Sequence, residues 1–258
     1  MQPDMQPDTI TKFHRIYPAA IAPMRADKSA LGLMPTMAFR HCEPMRLASG
    51  FGWYAFPAEE VCLRWNGSDV FIRTNGQWQP LSRSELPGFD AYWNEHAPPE
   101  LAGLAPPFVT RLQLPGMVQI WTGLLCSTAP GWSVLVRPPS NMRGSFLYSP
   151  YEGIIETDSF KPCPLFMNIQ LIATDVDIVL PKLVPLLQVQ PLLRQTYDES
   201  AHASVEIDGL GLQGDGSPAM SAGDWAAYRR VIRVEEPGQP SEPGHYAADT
   251  RKRAKSEG

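Results

Sequence analysis

Between Arg137 and Asp158 the chain reads RPPSNMRGSFLYSPYEGIIETD, with Arg137, Asn141, Arg143, Glu156 and Asp158 set beside short apolar segments. Polar side chains in that position must bond to one another or to a ligand, because a buried unpaired polar group is costly. Arg137 closes the apolar run SVLV, and Pro138-Pro139 keep the backbone extended beyond it. A planar guanidinium there can grip a carboxylate through two parallel bonds, supplied by Glu156, by Asp158 or by a ligand. Glu156 and Asp158 stand two apart, on one face if the strand continues. Paired acids can share a proton, divide acid and base roles, or hold a hard cation. The competing reading is structural: an Arg–Asp pair tying a loop to a strand, and an Asp that opens a turn. Arg137, Asn141, Glu156 and Asp158, joined by Trp93, form the expected ligand-binding set. No catalytic residue is assigned.

A second pattern is His41-Cys42-Glu43. The His-x-Glu spacing fits half of a two-histidine, one-carboxylate iron site, with His96 or His202 as the distal ligand. So short a motif arises often by chance. His41 and Glu43 are the positions at which metal is sought, iron is the metal to test, and the sequence names no other cofactor. An activated Cys42 is disfavoured, since adjacent strand residues point to opposite faces. Cys62, Cys126 and Cys163 have apolar or proline-rich neighbours and read as packing residues. No CxxC occurs, which excludes the zinc-ribbon spacing. Gly50-Phe51-Gly52-Trp53 lacks the Lys-Ser/Thr and helix start of a phosphate loop; its glycines fit close packing under Trp53. Of the aromatic set Trp53, Trp65, Trp78, Trp93, Trp121 and Trp132, much is core. Trp93, in a long excursion, is the one expected to face a ligand.

The elements that must position these groups are short. Twenty-seven prolines in 258 residues nearly exclude long helices before residue 190 and favour strands with fixed loops. VCLRW and VFIRT flank Asn66-Gly67-Ser68-Asp69, and Asn75-Gly76 returns the chain to Trp78, which is hairpin language. Residues 80–107 carry six prolines and leave room for a helical turn around Phe89–Glu95; a loop this long is usually functional. Strand-like runs then recur at Val109–Leu114, Met117–Leu125, Ser133–Arg137, Gly153–Glu156, Leu165–Ile172, Asp177–Leu180 and within Leu183–Tyr197. Ser221 and Asp224 form a capping box that starts a helix, with Trp225, Tyr228 and Ile232 on its docking face. The expected fold is mainly β, an antiparallel β-sandwich or jelly-roll-like barrel with a short C-terminal helix. Its divisions are a disordered N-terminus at 1–12, a β-sandwich domain at 13–208, a linker at 209–220, a peripheral helix at 221–234 and a disordered tail at 235–258.

Three stretches resemble an uncharacterised bacterial family, a domain of unknown function often encoded near natural-product biosynthesis genes. They are Cys42-Glu-Pro-Met45 through Gly52-Trp53 to Trp65-Asn66-Gly67; Arg137-Pro-Pro-Ser-Asn141; and GIIETD at 153–158 followed by LLQVQP. Where the family tends to have an acid near that last segment, this chain has Gln188 and Gln190. The likeness spans roughly residues 13–197. It implies a shared β fold and brings no activity.

A net charge of −5 gives no general attraction to nucleic acid or anionic lipid, and the basic residues Arg251–Lys255 read as a solvated end. No run of about 20 apolar residues can span a bilayer, and no basic start precedes an apolar stretch. A cytoplasmic protein with free thiols is expected, and homo-oligomer formation is left open. Two function classes follow. The first is a small-molecule-binding β protein, with a tailoring enzyme of specialised metabolism, and at its sharpest a non-haem iron oxygenase, as enzyme forms. The second is a non-catalytic interaction or scaffold protein. The first needs the polar residues to converge on an open pocket. The second needs them paired among themselves.

Overall fold

Alternation decides this architecture. Along Met117–Thr128, MVQIWTGLLCST, Val118, Ile120, Leu124 and Cys126 turn inward, and the strand serves as the spine of one sheet. The computed structural model describes residues 9–203, 221–232 and 244–256. The MQPDMQPD repeat, the 209–220 linker and residues 233–243 lie outside the described residues.

Three antiparallel sheets share one hydrophobic core among the described residues. The first holds β1 (Thr11–Arg15), β7 (Arg83–Ser84), β8 (Val109–Arg111), β9 (Met117–Thr128), β11 (Tyr148–Pro150) and β13 (Cys163–Leu171). Its order is β11-β13-β9-β8-β7, with β1 also on β9. The second contains β2 (Met24–Arg25), β3 (Trp53–Ala55), β10 (Trp132–Arg137), β12 (Gly153–Ile155) and β15 (Leu187–Leu193), in the order β12-β10-β15-β3-β2. The third is β14 (Ile178–Leu180), β4 (Val61–Trp65), β5 (Val70–Thr74) and β6 (Gln77–Pro80), again in that order. Val118 and Ile120 from the first, Val134 and Val189 from the second, and Leu63 and Val70 from the third all belong to the common core. The antiparallel β class is as the sequence predicts.

Local chemistry sets the hairpins. Asn66 Oδ1 accepts the amides of Ser68 (2.9 Å) and Asp69 (2.6 Å), folding the β4–β5 turn through its own side chain. Asn75 and Gly76 both have positive φ, 51° and 79°, the geometry that suits the twist of the β5–β6 hairpin. Gly52 is needed for close approach: at φ +88°, a Cβ there would meet the Val189 carbonyl oxygen of β15 at 2.0 Å.

Two readings require correction. The strand-like segment Ala48–Phe56 begins as helix: α1 (Thr36–His41) leads into α2 (Glu43–Gly50), and only Trp53–Ala55 pairs as strand. Pro44 sits in the first turn of α2, where a missing amide donor breaks no intrahelical bond. The tail expected to be disordered from Glu235 carries a helix at His245–Ser256. In chain order α3 (Phe89–His96) and α4 (Ala222–Ile232) precede it, and it is α5. Its Ala, Arg and Lys are good helix formers, and Arg253 and Lys255 suit its negative C-terminal end. Ala247 is buried, and Arg251 reaches Glu43 (3.4 Å) and the Arg40 carbonyl (2.8 Å). That basic end is therefore partly engaged, not wholly solvated. The capping box forms: Ser221 Oγ accepts the Asp224 amide (3.1 Å), and Asp224 Oδ2 accepts the Ser221 amide (2.9 Å). Trp225 and Tyr228 pack edge to face at 5.8 Å, yet both are exposed on α4.

Candidate functional site

Gln188 is the point at which the motif-bearing segments meet. It lies fully buried on β15 and opposite Arg137 in the β10–β15 ladder. A glutamine amide offers two donors and a two-lone-pair oxygen, so burial obliges it to find several partners. Its Oε1 accepts the Ser140 amide at 2.7 Å. Its Nε2 donates toward the carbonyls of Ala48 (3.1 Å), Ser49 (3.2 Å) and Phe51 (2.6 Å). Those carbonyls sit at the end of α2, where helical acceptors lose their intrahelical donors. Asn141, held left-handed at φ 60°, donates through Nδ2 to the Met45 carbonyl (3.0 Å) and the Ser49 hydroxyl (2.9 Å). The buried Tyr54 hydroxyl lies 3.4 Å from the Ser49 carbonyl and 3.3 Å from that of Asp27, donating between them. One buried network thus fastens α2, the 138–141 loop and β15. The sequence offered one signal for it, a glutamine inside an apolar run, and that was read only as the loss of an acid.

Arg137 closes β10, and its guanidinium pairs with Glu152 at 3.2 Å, while Arg143 lies over the Phe146 ring at 5.7 Å. Arg137 Nε and Ser140 Oγ are buried with no hydrogen-bond partner among the described residues. Glu156 and Asp158 belong to the opposite end of β10. There the Gly131 amide donates to Asp158 Oδ2 at 2.9 Å, Arg194 pairs with the same carboxylate, and Glu156 stands 3.5 Å from Arg194. Burial pushes the Asp158 carboxyl up, but the Gly131 amide, the Arg194 charge and the Ser159 hydroxyl outweigh it and hold it below the ordinary aspartate range. β10 is six residues long, so its two ends stand about 17 Å apart. The expected ligand-binding set is divided: Arg137 with Asn141 at one end, Glu156 with Asp158 at the other, and Trp93 elsewhere on α3.

His41 ends α1 and Glu43 begins α2. The Glu43 carboxylate is buried between Arg46 (2.5 Å) and Arg251 (3.4 Å), which neutralise it. His96 stacks on Tyr92 at 4.2 Å, and His202 Nε2 faces the Thr196 carbonyl at 3.1 Å. Among the described residues no three His, Cys, Asp or Glu side chains stand together as a metal-holding group.

Trp93 leads to a different place. The long 80–107 excursion contains β7, α3 and a 3-10 turn at Pro99–Leu101. Phe89 anchors α3 in the core, edge-on to Tyr17 at 5.4 Å and tilted against Trp121 at 5.8 Å. Trp93 Nε1 donates to the Leu101 carbonyl (2.8 Å), and Asn94 Oδ1 accepts the Gly103 amide (2.7 Å). These two bonds tie the 97–105 segment to α3, Arg83 of β7 donates to the Ala105 carbonyl at 3.4 Å, and between them lies a cleft of about 320 Å³ lined by Arg83, Glu85, Asp90, Asn94, Gly103 and Ala105. Trp93 braces this cleft without lining it. A hydrogen bond to the Asp90 side chain and the Asp90 charge raise the Glu85 carboxyl above its ordinary range, against a smaller opposing pull from Arg83. The cleft therefore combines two neighbouring carboxyls, of which Glu85 holds its proton more tightly than usual, with one guanidinium. Sequence reading flagged the excursion by its length and missed Arg83, Glu85 and Asp90, which the turns of the excursion bring together.

No family model and no curated protein matches the chain. Among solved structures, a mutant dUTPase of phage phi11 of S. aureus, described as coordinating a structural Mg(II) ion, is 11% identical, with a TM-score of 0.37 over 78% of this chain and 99% of that one. Two mutants of the Staphylococcus bacteriophage 80alpha dUTPase with dUpNHpp are each 12% identical, at TM-scores of 0.34 and 0.33, over 91% of this chain and 94% of theirs. Likeness at that level carries no argument here; the β architecture rests on the strand pairing itself. No described helix is long and apolar enough to cross a membrane.

Proposed function

We propose that this β protein binds a small polar molecule bearing a basic nitrogen, seated in the cleft between β7, α3 and the 97–105 segment. The observation that carries the reading is the Glu85–Asp90 acid pair beside Arg83 in that cleft. Its volume falls at the small end of ordinary ligand sites. The acids suit an ammonium or amidine group, and the Arg83 guanidinium suits a carboxylate or hydroxyl on the same molecule. The family resemblance brings no activity; were the protein a tailoring enzyme of specialised metabolism, this cleft is where its substrate would lie. No reaction is assigned.

The pairing of Arg137, Asn141, Glu156 and Asp158 with protein groups favours a second reading, a non-catalytic interaction protein. Met37, Leu47 and Phe51, exposed on and beside α1 and α2, would then serve assembly, including self-association. A thermal-shift screen separates the two. Its panel sets amino acids, amino sugars and diamines against matched acids and alcohols lacking the nitrogen. The first reading expects stabilisation by the nitrogen-bearing members alone, lost in Asp90→Asn and strengthening as pH rises through the Glu85 titration. Stabilisation that ignores Asp90, or none at all from a protein that sediments as a concentration-dependent oligomer, moves the assignment to the second reading.

A further inference from the structure

β13 runs antiparallel to β9 and sets Cys163 directly opposite Cys126. Directly opposed residues of antiparallel strands share a face, with Cβ atoms about 4.5–5.5 Å apart. A disulfide needs Cβ atoms about 3.5–4.5 Å apart, so a small adjustment within the ladder joins the two sulfurs. Both thiols are free, and each donates weakly to a neighbouring carbonyl: Cys126 to Ser127 at 3.9 Å and Cys163 to Pro164 at 3.6 Å. Cys163 is half-buried at the start of β13. Cys126 is fully buried and faces Phe13 of β1 across its other ladder. The remaining cysteines lack this arrangement: Cys62 lies opposite Val179, and Cys42 sits between α1 and α2.

We propose that Cys126 and Cys163 are a redox site, closing to an intramolecular disulfide when the protein meets a low-molecular-weight disulfide such as oxidised glutathione. Cys163, the accessible partner, attacks as thiolate on one sulfur of glutathione disulfide; that S–S bond breaks and one glutathione thiolate leaves. Cys126 releases its proton to solvent, and its thiolate attacks the Cys163 sulfur and expels the second glutathione thiolate. The two protein thiols lose two electrons, and one glutathione disulfide becomes two glutathione thiols. Burial, with a smaller contribution from Cys163, pushes the Cys126 thiol up to about 12, and burial also raises Cys163. Closure is therefore slow near neutrality and quickens as pH rises. The bond would enclose β10, β11 and β12, restricting the unfolded chain and stabilising the fold.

The test equilibrates the full chain at pH 8.5 in glutathione buffers of graded redox poise, approached from the reduced and from the oxidised side. In the oxidising buffers we expect the mass to fall by two hydrogens and the thiols alkylated after denaturation to fall from four to two. One cross-linked peptide pair should join Cys126 to Cys163, and the Tm should rise by several degrees and return on reduction. Cys163→Ser, at the accessible position, should keep its three remaining thiols in every buffer. Four alkylatable thiols throughout, a stable glutathione adduct on Cys163, or a cross-link that includes Cys42 or Cys62 overturns the proposal.

Discussion

The Gln188 network and the Arg83–Asp90 cleft are both built from polar side chains beside strands, yet they spend their bonding capacity differently. At Gln188 the amide nitrogen and the amide oxygen both bond to other parts of the chain, and the glutamine is fully buried. In the cleft, Asn94 and Trp93 are used to shape the walls, while Glu85 and Asp90 stand exposed, and Asp90 raises the Glu85 carboxyl above its ordinary range. Polar residues near a strand therefore do not by themselves mark a site. What marks one is capacity left over after the fold has taken its share.

The contrast predicts its largest effect at Gln188. Gln188→Leu preserves much of the volume but strands the Ser140 amide and the carbonyls at the end of α2. Leaving several buried groups unpaired should cost about 3 kcal/mol or more, read as a fall in the denaturant midpoint without a change in slope. A loss below about 1 kcal/mol would mean that water satisfies these groups, and the distinction between the two regions would weaken.

Asp158→Asn comes next. Asp158 takes the Gly131 amide and the Arg194 guanidinium while its side chain is only 9% exposed. Charge-assisted bonds of that kind suggest a loss of about 1.5 kcal/mol. Its carboxyl is held below its unfolded value, so the stabilisation is full above the unfolded aspartate range, about pH 4, and disappears as pH falls through the lower folded value. The asparagine variant should lose stability near neutrality and show a flatter acid limb in thermal melts between about pH 2 and 5. An unchanged acid limb would place the pH dependence elsewhere.

The strands and the site were not equally legible in the sequence. Hairpins at Asn66–Asp69 and Asn75-Gly76 and the strands from Val109 to Leu193 are local events, set by turn residues and alternation, and they stand where the pattern puts them. β2, β7 and β11, of two or three residues each, are fixed by their neighbours in the sheets and leave too short a pattern to read. α5 escaped because its polar composition resembles that of a solvated tail, while Ala247 and Arg251 dock it against the α1–α2 region. Placing Arg137 and Asp158 in one site assumed that nearness in sequence survives folding. A strand lies between their positions and holds them at its two ends.

Arg137→Ala should have a small effect. Its partner Glu152 is exposed, and a solvent-facing ion pair contributes about 0–1 kcal/mol. If the variant instead loses as much stability as Gln188→Leu, the buried Nε and the aliphatic stem support the 138–141 loop more than the ion pair does.

The smallest effect on stability, and the one that most sharpens the contrast, belongs to Asp90→Asn. Both acids of the pair are exposed, so the substitution should change the free energy of unfolding by no more than about 0.5 kcal/mol near neutrality. Its signature lies in the titration of Glu85. A carboxyl whose folded value is raised adds stability at low pH, and that addition is lost as pH rises through the folded value. Removing the Asp90 charge should return Glu85 toward its ordinary range, seen directly as a downward shift in the pH titration of its side-chain carboxyl by carbon-detected NMR. A Glu85 titration unmoved by Asp90→Asn would mean that Asp90 does not hold up the Glu85 carboxyl. The cleft would then hold two independent solvated carboxylates, which is the arrangement of an ordinary surface and not of a site with capacity to spare.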